Sequence, residues 1–262
     1  MGKVAVSLLL LALGMAVIGY ISAPYFYLTR TIFWGESDYK DLEKFPARTI
    51  HNASLTFQLE ELPADNPYAS QIEAIGSDVN NGGSLESYLE SSGTTAFLVV
   101  HDDKVLYERY FNGYDERSLN TSFSMAKSFA SALVGIAIDE GYIKSVNEPI
   151  TNYLPELLEK DERFESITIR NLLTMSSGIK YEEGGDLPWS EDADDTKTYY
   201  STDLRELALN CRIEGEPGEY FQYNSYNPLL VGMILERATG MSVSRYLQQK
   251  LWKPMGMEAN SS

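Results

Sequence analysis

The apolar positions of this chain predict strands first and helices afterwards. Residues 95–101 and 104–111 are apolar and aromatic runs on either side of Asp102-Asp103, a pattern typical of a β-hairpin. From Ser124 onward the pattern becomes mainly helical, beginning with an apolar run that is long enough for a buried helix and that a glycine closes. The chain therefore combines a hairpin with a helical region.

Further helices are predicted from caps and periodicity. Thr168 is a good N-cap, Asn227-Pro228 opens a helix and Gly240 ends it, while Pro217-Gly218 predicts a turn. Besides the helix that begins at Ser124, the predicted helices span residues 84–91, 169–175, 203–210, 229–237 and 242–251.

The N-terminus is almost wholly apolar from residue 4 to residue 21, about the length needed to cross a bilayer. A cleaved signal peptide is the rival interpretation. Tyr20, Tyr25, Phe26 and Tyr27 resemble an interfacial aromatic belt and favour an uncleaved anchor. We therefore expect three parts: a membrane anchor or signal segment (1–30), a linker with a lead-in helix (31–90) and a catalytic domain (91–262).

Charge and composition exclude several classes of function. A net charge of −17 argues against nucleic acid or an anionic membrane surface as a partner. One cysteine rules out an intramolecular disulfide, and the two histidines, His51 and His101, are too few for a zinc site. The chain has no Gly-x-Ser-x-Gly turn to hold the serine of a Ser-His-Asp hydrolase. A hydrolase built from this sequence would need lysine or tyrosine as its base.

The tetrapeptide Ser-x-x-Lys occurs three times, starting at Ser37, Ser124 and Ser177, but only Ser124 is followed by an apolar helix. Ser124 and Lys127 would share one face of that helix. A neutral lysine can take the proton of a serine hydroxyl, and the positive end of a helix stabilises the alkoxide that forms. An N-cap serine with a lysine on a solvated face is the plain structural alternative.

An ordered series of motifs after Ser124 resembles the serine β-lactamase and penicillin-binding-protein superfamily. The series resembles the class C β-lactamase and D,D-peptidase branch, and most closely the 6-aminohexanoate-dimer-hydrolase-like enzymes. The resemblance implies an α+β, β-lactamase/transpeptidase-like fold, with an antiparallel sheet and a helical subdomain. The motifs are Ser124-Met-Ala-Lys127, residues 169–178 ending in Ser-Ser-Gly, Pro217-Gly218, Phe221-x-Tyr223, Leu230-x-Gly232 and Thr239-Gly240.

The resemblance also implies roles for individual residues. Ser124 would be the acylated nucleophile, Lys127 its base partner and Tyr223 the group that shuttles protons to the leaving group. Class C enzymes usually have Tyr-x-Asn where this chain has Ser225, which we expect to contact substrate. The family's third motif, Lys-Thr-Gly or His-x-Gly, is absent before Ser262, so the domain is expected to be incomplete at its C-terminus.

Together these features predict a serine hydrolase that cleaves amides, esters or peptides through an acyl-enzyme, without metal or cofactor. A true β-lactamase or D,D-carboxypeptidase is one alternative, and a catalytically silent, membrane-tethered binding module is another. The anchor would place the catalytic domain outside a bacterial cytoplasmic membrane. We expect the acidic segment 181–195 to be a solvated loop and, with Trp189, Tyr199 and Tyr200, to contribute to the pocket wall.

Overall fold

The computed structural model of the protein describes residues 10–15, 17, 26–79, 82–184 and 193–262. Two compact units form from discontinuous stretches of chain: unit 1 comprises residues 1–45 and 121–250, and unit 2 comprises residues 46–120 and 251–262. The strands are β1 (Glu60–Glu61), β2 (Ala96–His101) and β3 (Lys104–Tyr110). The α-helices are α1 (Phe26–Trp34), α2 (Pro67–Val79), α3 (Leu85–Ser91), α4 (Ala126–Asp139), α5 (Ile169–Leu173), α6 (Asp194–Tyr200), α7 (Leu204–Leu209), α8 (Tyr226–Thr239) and α9 (Val243–Leu247).

The sheet of unit 2 has the order β1-β3-β2 and contains the predicted hairpin. Strands β2 and β3 are antiparallel, whereas the short β1 pairs in parallel with β3. The turn between β2 and β3 has two residues with positive φ, Asp102 at 50° and Asp103 at 59°. Turns with two positive φ angles match the right-handed twist of a hairpin, and aspartate tolerates them better than most residues. The hairpin prediction is confirmed.

Helices α2 and α3 complete the core of unit 2. Ser84 caps α3 by accepting a hydrogen bond from the Ser87 backbone N–H (3.1 Å), and Leu85 with Leu89 packs against Tyr107 of β3. Helix α2 lies in the stretch expected to be mainly a linker. Its Gly76 permits a close approach to α3, because a Cβ there would lie 2.3 Å from the Leu85 Cβ.

Unit 1 is built around α4 and α8, which pack against each other. Leu133, Val134 and Ala137 form the buried face of α4, whereas Ala132 and Gly135 are exposed. The sequence predicts a buried helix, but the structure buries only one face of it. Helix α8 is longer than predicted and ends at Gly240, whose φ of +69° is the left-handed cap that glycine favours.

The predicted membrane span comprises residues 4–21. None of the helices formed by the described residues is both long and apolar enough to cross a membrane. Apart from residues 10–15 and 17, the segment 4–21 lies outside the described residues. The anchor stays a prediction.

Candidate active site

Ser124 and Lys127 lie at the start of α4, as the spacing predicts. A 3-10 turn (Phe123–Met125) precedes the helix, so Ser124 lies in that turn and Lys127 in the first helical turn. The Lys127 Nζ donates a hydrogen bond to the Ser124 Oγ at 2.8 Å. Ser124 is exposed and Lys127 is half-buried. The serine hydroxyl is thus open to a substrate and already paired with an amine.

Phe123 gives the nucleophile turn an unusual backbone. Its φ is +43°, in a region that residues other than glycine rarely occupy. Such conformations cost on the order of 1–3 kcal/mol and cluster at active sites, where they aim a side chain. The strained residue immediately precedes Ser124 and turns the chain into the helix.

Tyr223 joins the pair from a distant part of the sequence. Its hydroxyl donates to the Ser124 Oγ at 2.5 Å, and its ring centroid lies 5.2 Å from the Lys127 Nζ, within the range of a cation–π contact. The structure therefore brings together the three residues predicted to be catalytic. Two donors converge on one serine oxygen, an arrangement that stabilises negative charge on that oxygen.

The Ser-Ser-Gly motif holds the loop that carries Tyr223. The Gln222 N–H donates to the Met175 carbonyl (2.8 Å), and the Gly218 N–H donates to the Ser176 carbonyl (2.7 Å). Gly178 has a φ of +71°, and a Cβ at this position would lie 2.2 Å from the Gly215 carbonyl oxygen. Backbone carbonyls in and beside this motif therefore bind the backbone of the loop that carries Tyr223.

Buried amides fix the same loop from the other side. The Asn224 side chain donates to the Ile179 carbonyl (2.8 Å), and the Ser177 hydroxyl donates to the Asn227 Oδ1 (2.7 Å). Asn224, Asn227 and Ser177 are all buried. The sequence analysis used Asn227 only as a helix start. Two asparagines within four residues after a candidate catalytic tyrosine are a signal in the sequence for such a buried support.

Ser225 is half-buried at the start of α8, two residues beyond Tyr223. Its environment includes Tyr181. Burial raises the pKa of Tyr181, and hydrogen bonding with the Ser225 and Thr198 hydroxyls acts in the opposite direction. The Gln222 Nε2 donates to the Tyr181 carbonyl (2.7 Å), whereas its buried Oε1 has no partner among the described residues. Substrate contact by Ser225 stays a prediction.

The acidic segment contributes a buried carboxylate that the sequence analysis missed. The Asp194 Oδ1 accepts from the Tyr226 hydroxyl (2.9 Å) and its Oδ2 from the Glu182 N–H (3.1 Å). Burial, together with this carboxylate, raises the pKa of Tyr226 far above its ordinary value. The expectation of a solvated loop is therefore wrong at Asp194, because helix α6 turns this acid inward. Trp189 lies outside the described residues.

No group of three or more histidine, cysteine or acidic side chains in the described part of the chain could hold a metal ion. Cys211 is buried, and this burial raises the pKa of its thiol to about 12. The donors that the structure shows at the Ser124 Oγ are the Lys127 amine and the Tyr223 phenol.

Sequence comparison places the chain in a family. The profile of the Beta-lactamase family matches residues 86–261. The chain belongs to the β-lactamase family. It is 31% identical over 192 residues to the 6-aminohexanoate-dimer hydrolase of Paenarthrobacter ureafaciens, covering 68% of this chain and 46% of that enzyme. It is also 27% identical over 176 residues to Protein flp of Staphylococcus aureus (strain N315), covering 63% of this chain and 34% of that protein.

Structural comparison gives the same fold. A solved structure named "Putative 6-aminohexanoate-dimer hydrolase from Bacillus anthracis" superposes with a TM-score of 0.66 at 22% identity, covering 92% of this chain and 62% of that chain. The family resemblance read from the motifs, and the β-lactamase/transpeptidase-like fold it implies, are confirmed. The chain spans less than half the length of the curated relatives that it matches.

Proposed function

We propose that this protein is a serine hydrolase that forms an acyl-enzyme on Ser124. One observation carries the proposal: the Ser124 Oγ accepts hydrogen bonds from both Lys127 (2.8 Å) and Tyr223 (2.5 Å). A catalytically silent binding module would have no need of this convergence. The open position of Ser124 at the start of α4 leaves room for a carbonyl carbon.

In the first step the Ser124 Oγ attacks the carbonyl carbon of an amide or ester, forming a C–O bond. The hydroxyl proton passes to Lys127 or Tyr223, the two groups that contact the Ser124 Oγ. The N-terminal end of α4 lies beside the developing negative charge, which its dipole stabilises. Collapse of the tetrahedral intermediate breaks the carbonyl bond to the leaving amine or alcohol.

The leaving group takes its proton from Tyr223, which hydrogen-bonds to the reacting oxygen and borders Lys127. Water then attacks the acyl carbon and gives up one proton to the same pair. The bond between that carbon and the Ser124 Oγ breaks, the serine oxygen takes a proton back from the pair, and the carboxylic acid leaves. Each turnover consumes one water molecule and needs no cofactor. The roles of Ser124, Lys127 and Tyr223 belong to the proposal.

Linear amides and esters are the substrate class that we favour over β-lactam rings. The relative with 31% identity is named for hydrolysis of 6-aminohexanoate dimer, a linear amide. Ser225 replaces the asparagine that the Tyr-x-Asn motif would have, and we propose that its hydroxyl contacts substrate. Comparing turnover of a nitrophenyl ester with that of a chromogenic cephalosporin tests this choice. Faster turnover of the cephalosporin would favour a true β-lactamase.

A fluorophosphonate probe tests the nucleophile directly, because it labels activated serines. We expect one label on the full-length protein, located at Ser124 by peptide mass spectrometry and absent from Ser124→Ala. Ser37→Ala is the matched control, since Ser37 also begins a Ser-x-x-Lys tetrapeptide. Labelling that persists in Ser124→Ala would refute the proposal.

We further propose that the apolar segment 4–21 anchors the protein with its catalytic domain outside the cytoplasmic membrane. The length of the segment supports this location. Tyr27, expected in an interfacial aromatic belt, is instead buried in unit 1. The test is fractionation of cells followed by alkaline extraction and external protease. Recovery of the intact chain in the soluble fraction would contradict it.

A further inference from the structure

Residues 26–45 precede the family region (86–261) in the sequence, yet they are folded into unit 1 together with the candidate site. This segment, called the N-terminal brace below, contains α1 and a 3-10 turn (Asp41–Glu43). Resting on the function proposed above, we infer that the brace is a positioning element of the active site, which holds helix α6 and the chain entering Ser124 in place for acylation.

The first support is a set of hydrogen bonds between the brace and the C-terminal half of α6. The Tyr199 hydroxyl donates to the Asp41 Oδ2 (2.6 Å), and the Tyr200 hydroxyl donates to the Gly35 carbonyl (2.5 Å). The Arg30 Nη1 donates to the carbonyls of Tyr200 (3.2 Å) and Ser201 (3.3 Å), which end the helix. A cation at a helix C-terminus satisfies carbonyls that lack a partner within the helix.

Aromatic packing strengthens the same contact. The Trp34 ring meets Phe45 edge to face at 5.0 Å, and Phe45 meets Tyr199 edge to face at 5.5 Å. The Arg30 guanidinium lies 4.8 Å from the centre of the Trp34 ring. The structure packs Tyr199 and Tyr200 against the brace, where both hydroxyls are bound. Their predicted place in a pocket wall stays a prediction.

Asp41 is the polar centre of the contact. Asp41 is only 2% exposed, and its Oδ1 accepts a hydrogen bond from the Lys44 Nζ at 2.7 Å. Burial alone would raise the pKa of this carboxyl, but hydrogen bonds from Lys44, Tyr199 and the Asp38 backbone lower it overall. A buried carboxylate needs these partners, so its position and that of Tyr199 are coupled.

Helix α6 connects the brace to two tyrosines near Tyr223, Tyr226 and Tyr181. At its N-terminus the Asp194 carboxylate accepts from Tyr226, which begins α8 three residues after Tyr223. On the next turn the Thr198 Oγ1 lies 3.1 Å from the Tyr181 hydroxyl. Because the Thr198 hydroxyl lies within donating distance of the Asp194 and Asp195 carbonyls (2.8 and 3.0 Å), Tyr181 is the better donor to it.

A second route leads to the nucleophile itself. The Thr121 hydroxyl donates to the Tyr39 carbonyl of the brace at 2.9 Å. Thr121 lies three residues before Ser124, on the chain that enters the strained turn at Phe123. The brace therefore contacts the chain that enters Ser124, through Thr121, and the helix α6 that binds the start of α8 after Tyr223. The Tyr223 hydroxyl lies 2.5 Å from the Ser124 Oγ, and small displacements of either residue would disturb this hydrogen bond.

The test is Tyr199→Phe in the full-length protein, which removes the hydroxyl bound to Asp41 and keeps the ring. Tyr153→Phe is the matched control: the Tyr153 hydroxyl donates to the Glu148 Oε2 at 2.8 Å, another phenol–carboxylate bond within unit 1. We expect similar losses of thermal stability from both changes. The second-order rate of fluorophosphonate labelling, measured where both variants are fully folded, should fall about tenfold in Tyr199→Phe alone.

Asp41→Asn sharpens the test, because an asparagine oxygen can still accept from Tyr199 although the charge is gone. Its amide would face the Lys44 ammonium that the carboxylate binds, so we expect its labelling rate to fall as well, by about threefold or more. Equal labelling rates in wild type, Tyr199→Phe and Tyr153→Phe would overturn the inference and leave the proposed function intact. Absence of labelling in the wild type would instead count against the proposed function.

Discussion

Two Ser-x-x-Lys tetrapeptides in unit 1 differ in the exposure and the hydrogen bonding of their serines. Ser124 is exposed, and its Oγ accepts from Lys127 at 2.8 Å. Ser177 is 2% exposed, and its hydroxyl donates to the Asn227 Oδ1 at 2.7 Å. The spacing is the same, but the residue after Ser177 is Gly178 with a φ of +71°, whereas a helix follows Ser124. The backbone that follows each serine therefore differs: a helix carries Lys127 to the Ser124 Oγ, whereas Gly178 turns the chain after Ser177.

The largest expected difference concerns the two lysines. Lys127→Ala removes the amine that contacts the nucleophile, and loss of a general acid–base group typically costs about 10²–10⁴ in rate. We expect kcat/KM on a nitrophenyl ester to fall within that range. Lys180→Ala should stay within about twofold of the wild type, because the Ser177 hydroxyl is committed to Asn227. Equal losses in both variants would mean that the two motifs do not differ as the geometry indicates.

Local features of this fold could be predicted from the sequence because their causes are local. The Asp102-Asp103 turn, the Thr168 N-cap and the Gly240 helix end each depend on residues within a few positions of one another. The pairing of Ser124 with Lys127 belongs to the same class, because one helical turn brings them together. Tyr223 needed the resemblance to the family as well, since 99 positions separate it from Ser124.

What the sequence did not reveal depends on distant contacts or rare backbone angles. Tyr199 and Asp41 are 158 positions apart, and neither residue type signals such a contact locally. The left-handed Phe123 could not be expected, since its side chain does not favour positive φ. Helix α2 was missed because the prolines and acidic residues of 31–90 favour a linker, although Pro67 occupies the first helical position and Gly76 lets Leu85 approach.

A smaller effect is expected when the buried hydroxyl of the second motif is removed. Ser177→Ala leaves the Asn227 Oδ1 without its donor inside the protein, and such a loss typically costs about 1–3 kcal/mol. Denaturant unfolding should show this destabilisation, while fluorophosphonate still labels Ser124. Ser131→Ala, on the exposed face of α4, is the control and should change stability by less than about 0.5 kcal/mol. Loss of labelling in folded Ser177→Ala would mean that Ser177 also acts in the chemistry.

The smallest expected effect is a difference in how stability depends on pH between the contacts that hold the chain at Ser124 and those that hold Ser177. The chain entering Ser124 is held by the brace, whose Asp41 carboxyl has a lowered pKa, whereas Ser177 is held by neutral groups. A lowered pKa in the folded state means that the Asp41 carboxylate stabilises the protein above its unfolded pKa of about 4. That contribution disappears as pH falls through the lower, folded pKa. The denaturation midpoints of wild type and Asp41→Asn should therefore differ at pH 6 and converge in acid, while the difference between wild type and Ser177→Ala stays constant. A constant difference for Asp41→Asn as well would show that the charge of Asp41 does not stabilise the brace.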